Sequence, residues 1–192
     1  MDARQQKTKA RLSETILALA TAGPVAEVTV SRLAAEAGVH RSTVYAHAES
    51  PADLLGQVLR GELDVLRAEY LLDVPAEDAG AAISGVTRAV LHHVDAHDAI
   101  YRRGLGEQSG SASLHAMLSR HFEGSIDLLL DQHSVAVPAT SEAERRTIAR
   151  YLADGIIGAI EVWLAGDRPR DVDALLALLA RVAPSWWPST SR

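Results

Sequence analysis

The sequence predicts an all-α protein, and three observations carry that prediction. Apolar residues recur at the three-to-four-residue spacing of a helix face almost throughout, no stretch alternates with the period of a strand, and capping residues mark where helices begin. With 192 residues, 47% apolar and 23% charged, the chain has ordinary globular composition and enough material for a sizeable core.

The elements follow in order. Leu12, Ile16 and Leu19 mark a helix over 10–20. Residues 28–47, VTVSRLAAEAGVHRSTVYAH, hold two short apolar patterns on either side of Gly38. Ser50, Pro51 and Asp53 then read as an N-cap, a first-turn proline and an acid at the third position. They open a long helix to about Leu72, whose face is Leu54, Leu55, Val58, Leu59 and Leu66. After the loop DVPAED come helices over 80–97, 98–107 and 113–133, the first marked by Ile83, Val86, Val90 and Val94, the last by Leu114, Met117, Leu118, Phe122 and Leu129. A loop over 134–140 precedes the capping box Ser141/Glu144, which starts the face Ile148, Leu152, Ile156, Ala159 and Trp163. GDRPRD links this helix to a final one, and the tail PSWWPSTSR frays or folds Trp186 and Trp187 back. There is no repeat and no low-complexity tract.

Composition removes several classes of function. Without cysteine there is no disulfide, no thiolate chemistry and no cysteine zinc site, which suits a reducing cytoplasm. The start MDARQQKTKARL lacks the apolar core of a secretory signal, and acids and arginine interrupt GIIGAI and LLALLA before either could span a bilayer. HExxH, GxSxG and a glycine-rich phosphate loop are all missing, so neither an enzyme nor a cofactor is expected. The net charge of −6 is uneven: residues 1–50 carry six Lys/Arg against five Asp/Glu, leaving −7 for the rest. Arg4, Lys7, Lys9 and Arg11 against Asp2 make either a phosphate-seeking arm or a solvated helix start.

Gly38 is the most informative position. Counted from Val30, a helix-turn-helix needs a small residue at the fifth place, a residue tolerant of positive φ at the ninth, and apolar contacts at the fourth, tenth and fifteenth. Ala34, Gly38, Leu33, Val39 and Val44 supply them, with Ala37 eighth. Arg41, Ser42, Thr43, Tyr45 and Ala46 then point away from the core, where a major groove would offer base edges and phosphates. A plain helical hairpin that uses glycine only to turn fits the same residues.

The text TILALA followed by VTVSRLAAEAGVHRSTVYAHAESPADLL resembles the N-terminal domain of the tetracycline-repressor (TetR) family of transcriptional regulators, and YLADGIIGAIEVWLAGDRPRDVDALLALLARV resembles its last two helices. The resemblance implies an N-terminal three-helix helix-turn-helix domain over 1–50 followed by a helical ligand-binding and dimerisation domain over 51–192. It also implies a dimeric, ligand-responsive regulator, a repressor released from a near-palindromic double-stranded DNA operator by a small, largely apolar effector. The pattern departs from the family at His40, where a small cap is usual, at Ala48, where the family has Phe, and at Pro51, where it has Lys and a phosphate contact.

By this resemblance Thr43 and Tyr45 give hydroxyls to phosphates and His47 helps hold the recognition helix on the backbone, or simply packs in the small domain. Arg41 is the candidate for direct readout, because its fork matches the O6 and N7 of guanine. His40 and Ser42 are further DNA candidates, Thr29 caps the second helix and touches phosphate, and Arg4 and Lys7 reach backbone or minor groove. Dimerisation falls to Leu152, Gly155, Ile156, Ala159, Leu175 and Leu179 of the last two helices, where small residues allow close approach. The effector site falls to Val90, His93, His97, Tyr101, Met117, His121, Phe122 and Trp163. His93, His97 and His121 could hold a metal or a polar ligand, but no acid is spaced with them in sequence, so satisfied or solvated histidines are expected and no metal. A ligand favouring a long-helix position that puts the two DNA-binding domains out of register would weaken DNA binding reciprocally. Two rivals remain: a histidine-site metal protein or enzyme, and an interaction dimer that no longer binds DNA.

Overall fold

In the computed structural model, which describes residues 3–105 and 112–188, the periodic segments form nine α-helices with no strand among the described residues. Helix α1 (Ala3–Ala22) starts earlier than expected because QQKTK contains no helix breaker, and it runs until Gly23 and Pro24. Its residues Leu12, Ile16, Leu19 and Ala20 are buried, the single stripe that their spacing requires. Helices α2 (Val30–Ala37) and α3 (Arg41–Tyr45) follow, then α4 (Pro51–Leu71).

The α2–α3 turn is a left-handed cap. Gly38 has φ 59° and ψ 41°, its N–H donates to the Ala35 carbonyl, and the Val39 N–H donates to Ala34 at 2.9 Å, so both orphan carbonyls are satisfied. The guanidinium of Arg11 closes over the turn from α1, donating to the carbonyls of Ala37 and Gly38. It occupies the space a side chain on Gly38 would need. Arg11, grouped by sequence with the phosphate-seeking arm, is thus used internally, as a cation at the negative end of α2.

Both expected N-terminal caps form, each with the same offset. Ser50 Oγ accepts from the Asp53 N–H at 3.1 Å while Asp53 reaches back to the N–H of Glu49, one residue before the cap. At α8 (Glu142–Ala165) Ser141 accepts from Glu144, whose carboxylate takes the N–H and hydroxyl of Thr140.

The chain divides into two compact units, residues 1–61 and 62–192, which part inside α4, whereas residue 51 only starts that helix. The first unit buries Leu33, Val44, Ala48, Leu54, Leu55 and Leu59 with the α1 stripe, so Ala48 itself packs in the core. The second contains α5 (Ala79–Ala96), α6 (Asp98–Leu105), α7 (Ala112–Asp131), α8 and α9 (Val172–Val182). Here α7 packs along α8, α9 packs on α5, and α6 meets both α7 and α8. Gly104 lets α6 close on α7, because a Cβ there would run into Leu114. The loops are stitched together: the Val74 N–H donates to Gln132, and Ser134 donates to the Val74 carbonyl. No described helix is long and apolar enough to cross a membrane.

Gly38→Ala forces a side chain into the left-handed region and displaces Arg11. We expect it to lower the unfolding free energy by about 1–2 kcal/mol, read from urea denaturation followed by circular dichroism.

Candidate nucleic-acid interface and the buried histidines

In the first unit the structure gathers side chains that sequence alone leaves scattered. An open groove of about 630 Å³ is lined by Lys7 and Thr8 of α1 together with Gly38, His40, Thr43 and His47. Four of the expected DNA-contact residues, Lys7, His40, Thr43 and His47, therefore share one concave face. Capping explains why the α3 side chains point there. The extended His40 backbone starts α3, and its Nδ1 lies 2.9 Å from Ser42 Oγ and accepts from the Ser42 N–H, so an imidazole does the work of a small cap. Val44 turns inward, fully buried, which leaves Arg41, Ser42 and Tyr45 outside, Tyr45 at 62% exposure. Arg41 has no ion-pair partner among the described residues, so its guanidinium is available for an external acceptor. Thr29 caps α2 by accepting from the Arg32 N–H at 3.1 Å and remains exposed. The side chain of Arg4 lies outside the described residues.

In the second unit the expected effector residues fall into subgroups. Val90, Tyr101, Met117, His121 and Phe122 are buried. His93 and His97, one turn apart, have ring centroids 4.8 Å apart, and His93 Nε2 lies 2.9 Å from the Tyr101 hydroxyl. Trp163 is not joined to them by any hydrogen bond or ring contact among the described residues. It lies under the guanidinium of Arg170, 5.6 Å from the ring centroid, and Arg170 in turn pairs with Asp95 at 2.7 Å and Asp98 at 2.9 Å.

The missing acids come from α4. Glu62 Oε2 stands 3.0 Å from His97 Nε2 and 3.4 Å from His93 Nδ1, while Asp64, paired with Arg67 at 2.7 Å, stands 3.9 Å from His121 Nδ1. This corrects the premise that no acid accompanies the histidines: helix packing brings in carboxylates between about thirty and sixty positions away, which local spacing cannot reveal. Burial, reinforced by His97 and His121, lowers the pKa of His93 to about 4. Burial and the Arg67 charge hold His121 at about 4, with Asp64 opposing them. Burial and the Glu62 charge keep the Tyr101 hydroxyl protonated.

Surface apolar residues collect on α8 and α9. Tyr151 and Val162 are 75% and 77% exposed, Leu178 and Val182 43% and 68%. Gly155, with Leu152, Ile156 and Ala159 half-buried, shares this side of α8, and Leu179 is half-buried on α9. Leu175 departs from expectation: at 7% exposure it packs inside the chain, because α9 turns Val172 and Leu175 toward α5. Tyr151, Val162 and Val182 extend this apolar surface beyond the residues that the sequence reading names.

No protein-family model and no curated protein sequence matches the chain. Solved structures do. A TetR transcriptional regulator from Streptococcus agalactiae superposes with a TM-score of 0.65 at 20% identity, over 93% of this chain and 94% of that one. A tetR-family regulator from Streptomyces coelicolor gives 0.63 at 20% identity, over 94% and 80%. The Thermus thermophilus TetR-family repressor FadR, solved with lauroyl-CoA, gives 0.61 at 18% identity, over 96% and 100%. The chain therefore has the fold of TetR-family transcriptional regulators, with the helix-turn-helix at its N-terminal end.

His121 supplies a pH test. Its folded pKa of about 4 lies below the ordinary 6.5, so the unfolded chain takes up the proton first and stability falls as pH drops from 6.5 to 4. The loss from this one group approaches about 3 kcal/mol. Urea titrations across that window should show a shallower fall for His121→Leu than for the unsubstituted protein.

Proposed function

We propose that the protein is a dimeric DNA-binding transcriptional regulator whose operator affinity responds to a small molecule, most simply a repressor released from a near-palindromic site. The observation that carries this reading is the first unit's concave face. Lys7 brings charge, Thr43 a hydroxyl and His47 a ring nitrogen to one groove, with Arg41 and Tyr45 exposed on α3. A sugar–phosphate backbone would lie against Lys7, Thr43, Tyr45 and His47, which position the protein, while Arg41 reads a base edge. His40 and Ser42, already bonded to each other, add a smaller contribution, and Thr29 offers its hydroxyl at the start of α2.

One five-residue recognition helix reads few base pairs, so two copies are needed for useful affinity. The α8/α9 surface supports that pairing. Tyr151, Gly155, Ala159 and Val162 recur at three- and four-residue steps and would meet the same stripe of a second copy, as a two-fold interface requires. The effector would act on the second unit, and α4, continuous across the boundary between the units, would carry the change. The lauroyl-CoA complex of the Thermus thermophilus repressor supports a ligand role for this fold.

Two experiments test the reading. Selection from random duplexes, followed by fluorescence anisotropy at several salt concentrations, should yield a palindrome. Arg41→Ala should flatten preference at one base pair per half-site by about 1–3 kcal/mol. Lys7→Ala should weaken all sequences alike and reduce the salt slope by about one per protomer. Absence of binding even at low salt would overturn the proposal. Val162→Asp, at a position 77% exposed, should convert a sedimenting dimer into a folded monomer; a dimer that persists would exclude α8 as the interface.

A further inference from the structure

We propose that Glu62, His93 and His97 form a binding site for one divalent transition-metal ion of the zinc type. The inference stands independently of DNA binding, because it concerns the second unit alone. Three donor atoms from these residues lie within 4.8 Å of one another. Glu62 Oε2 is 3.0 Å from His97 Nε2 and 3.4 Å from His93 Nδ1. Ligands bound to zinc at about 2.0–2.2 Å in a tetrahedron stand roughly 3.4 Å apart. Both pairs that involve the carboxylate are thus already near the separation an ion would impose.

The donors are also the right kind. Two imidazoles and one carboxylate suit zinc, cobalt or nickel far better than magnesium or calcium, which prefer oxygen, and three protein ligands leave a position open to water. His93 and His97 stand four residues apart at the C-terminal end of α5, so both rings face the same way, and Glu62 meets them from α4. Side-chain exposures of 9% for His93, 21% for His97 and 40% for Glu62 describe a site shielded on one side and open on the other.

Support behind the ligands is in place. Tyr101, wholly buried, sets its hydroxyl 2.9 Å from His93 Nε2, the nitrogen turned away from Glu62. When Nε2–H donates to this oxygen, the lone pair of Nδ1 is directed at the point where the other two donors converge, the arrangement that orients metal-bound imidazoles. Tyr101 is a positioning residue in this scheme. His121 stands apart, with its Nδ1 turned toward Asp64.

The test is titration of chelator-treated full-length protein with Zn²⁺ by calorimetry, and with Co²⁺ by visible absorption. One Zn²⁺ per chain and a Co²⁺ ligand-field spectrum of low coordination number are expected. His97→Ala and Glu62→Gln should each weaken Zn²⁺ binding more than about a hundredfold, and Tyr101→Phe by about 10–100-fold. His92→Ala, on the exposed side of the same helix, should leave it unchanged. Zn²⁺ should raise the thermal midpoint of the unsubstituted protein while Mg²⁺ does not. Octahedral hexaaqua-like Co²⁺ spectra, Zn²⁺ binding that survives His97→Ala, or equal loss in His92→Ala would each overturn the proposal. The Co²⁺ spectrum needs no variant, so misfolding of a substituted chain leaves the test decisive.

Discussion

The left-handed turn at Gly38, held by Arg11, is the constraint on which the first unit rests. A residue with φ 59° lets α2 stop while its last carbonyls find donors, and the chain leaves in the direction α3 needs. Arg11 then fixes α1 to that turn by donating to Ala37 and Gly38. The same contact belongs to the groove, since Arg11 and Gly38 line it together with Lys7, His40, Thr43 and His47. One charge–carbonyl clamp thereby ties α1 to the turn from which α3 starts.

A different logic holds the second unit. Its apolar core is ordinary, with Leu63, Leu71, Leu91, Leu118, Ile157, Ile160 and Leu164 nearly inaccessible. Charge is threaded between the helices around it. Glu62 and Asp64 of α4 reach His93 of α5, His97 at its end and His121 of α7, and Arg170, whose side chain is 2% exposed, ties the α8–α9 link to Asp95 and Asp98. The side chains of His93, His121 and Arg170 are the buried members of these pairs, and a buried polar group is costly unless paired, so the pairings favour one packing of the helices over its neighbours.

Local chemistry was legible in the sequence and long-range chemistry was not. Helix faces, the caps at Thr29, Ser50 and Ser141, and the break at Gly38 each depend on residues a few positions apart, and all appear where their spacing puts them. Sequence groups Arg11 with the basic arm, because nothing within its own helix hints that a carbonyl 26 positions away needs a donor. Glu62 escapes the sequence for the same reason: the partner of His93 and His97 is set by how α4 lies on α5. Leu175 has the composition of an interface residue, but the direction in which α9 faces decides its role. The groove around Lys7 and His47 likewise joins two segments whose chemistry could be named in advance, although their convergence could not.

The division of the chain has a spectroscopic consequence. All three tryptophans, Trp163, Trp186 and Trp187, belong to residues 62–192, and the first unit carries only Tyr45 as an aromatic chromophore. Trp163 lies against the Arg170 guanidinium, and Trp186 meets Trp187 edge to face at 5.7 Å, so their emission senses the α8–α9 link and the segment after α9. Tryptophan fluorescence is therefore an optical channel belonging to one half of the molecule. Light emitted there reports what enters or loosens the second unit, while the helix-turn-helix adds no tryptophan signal.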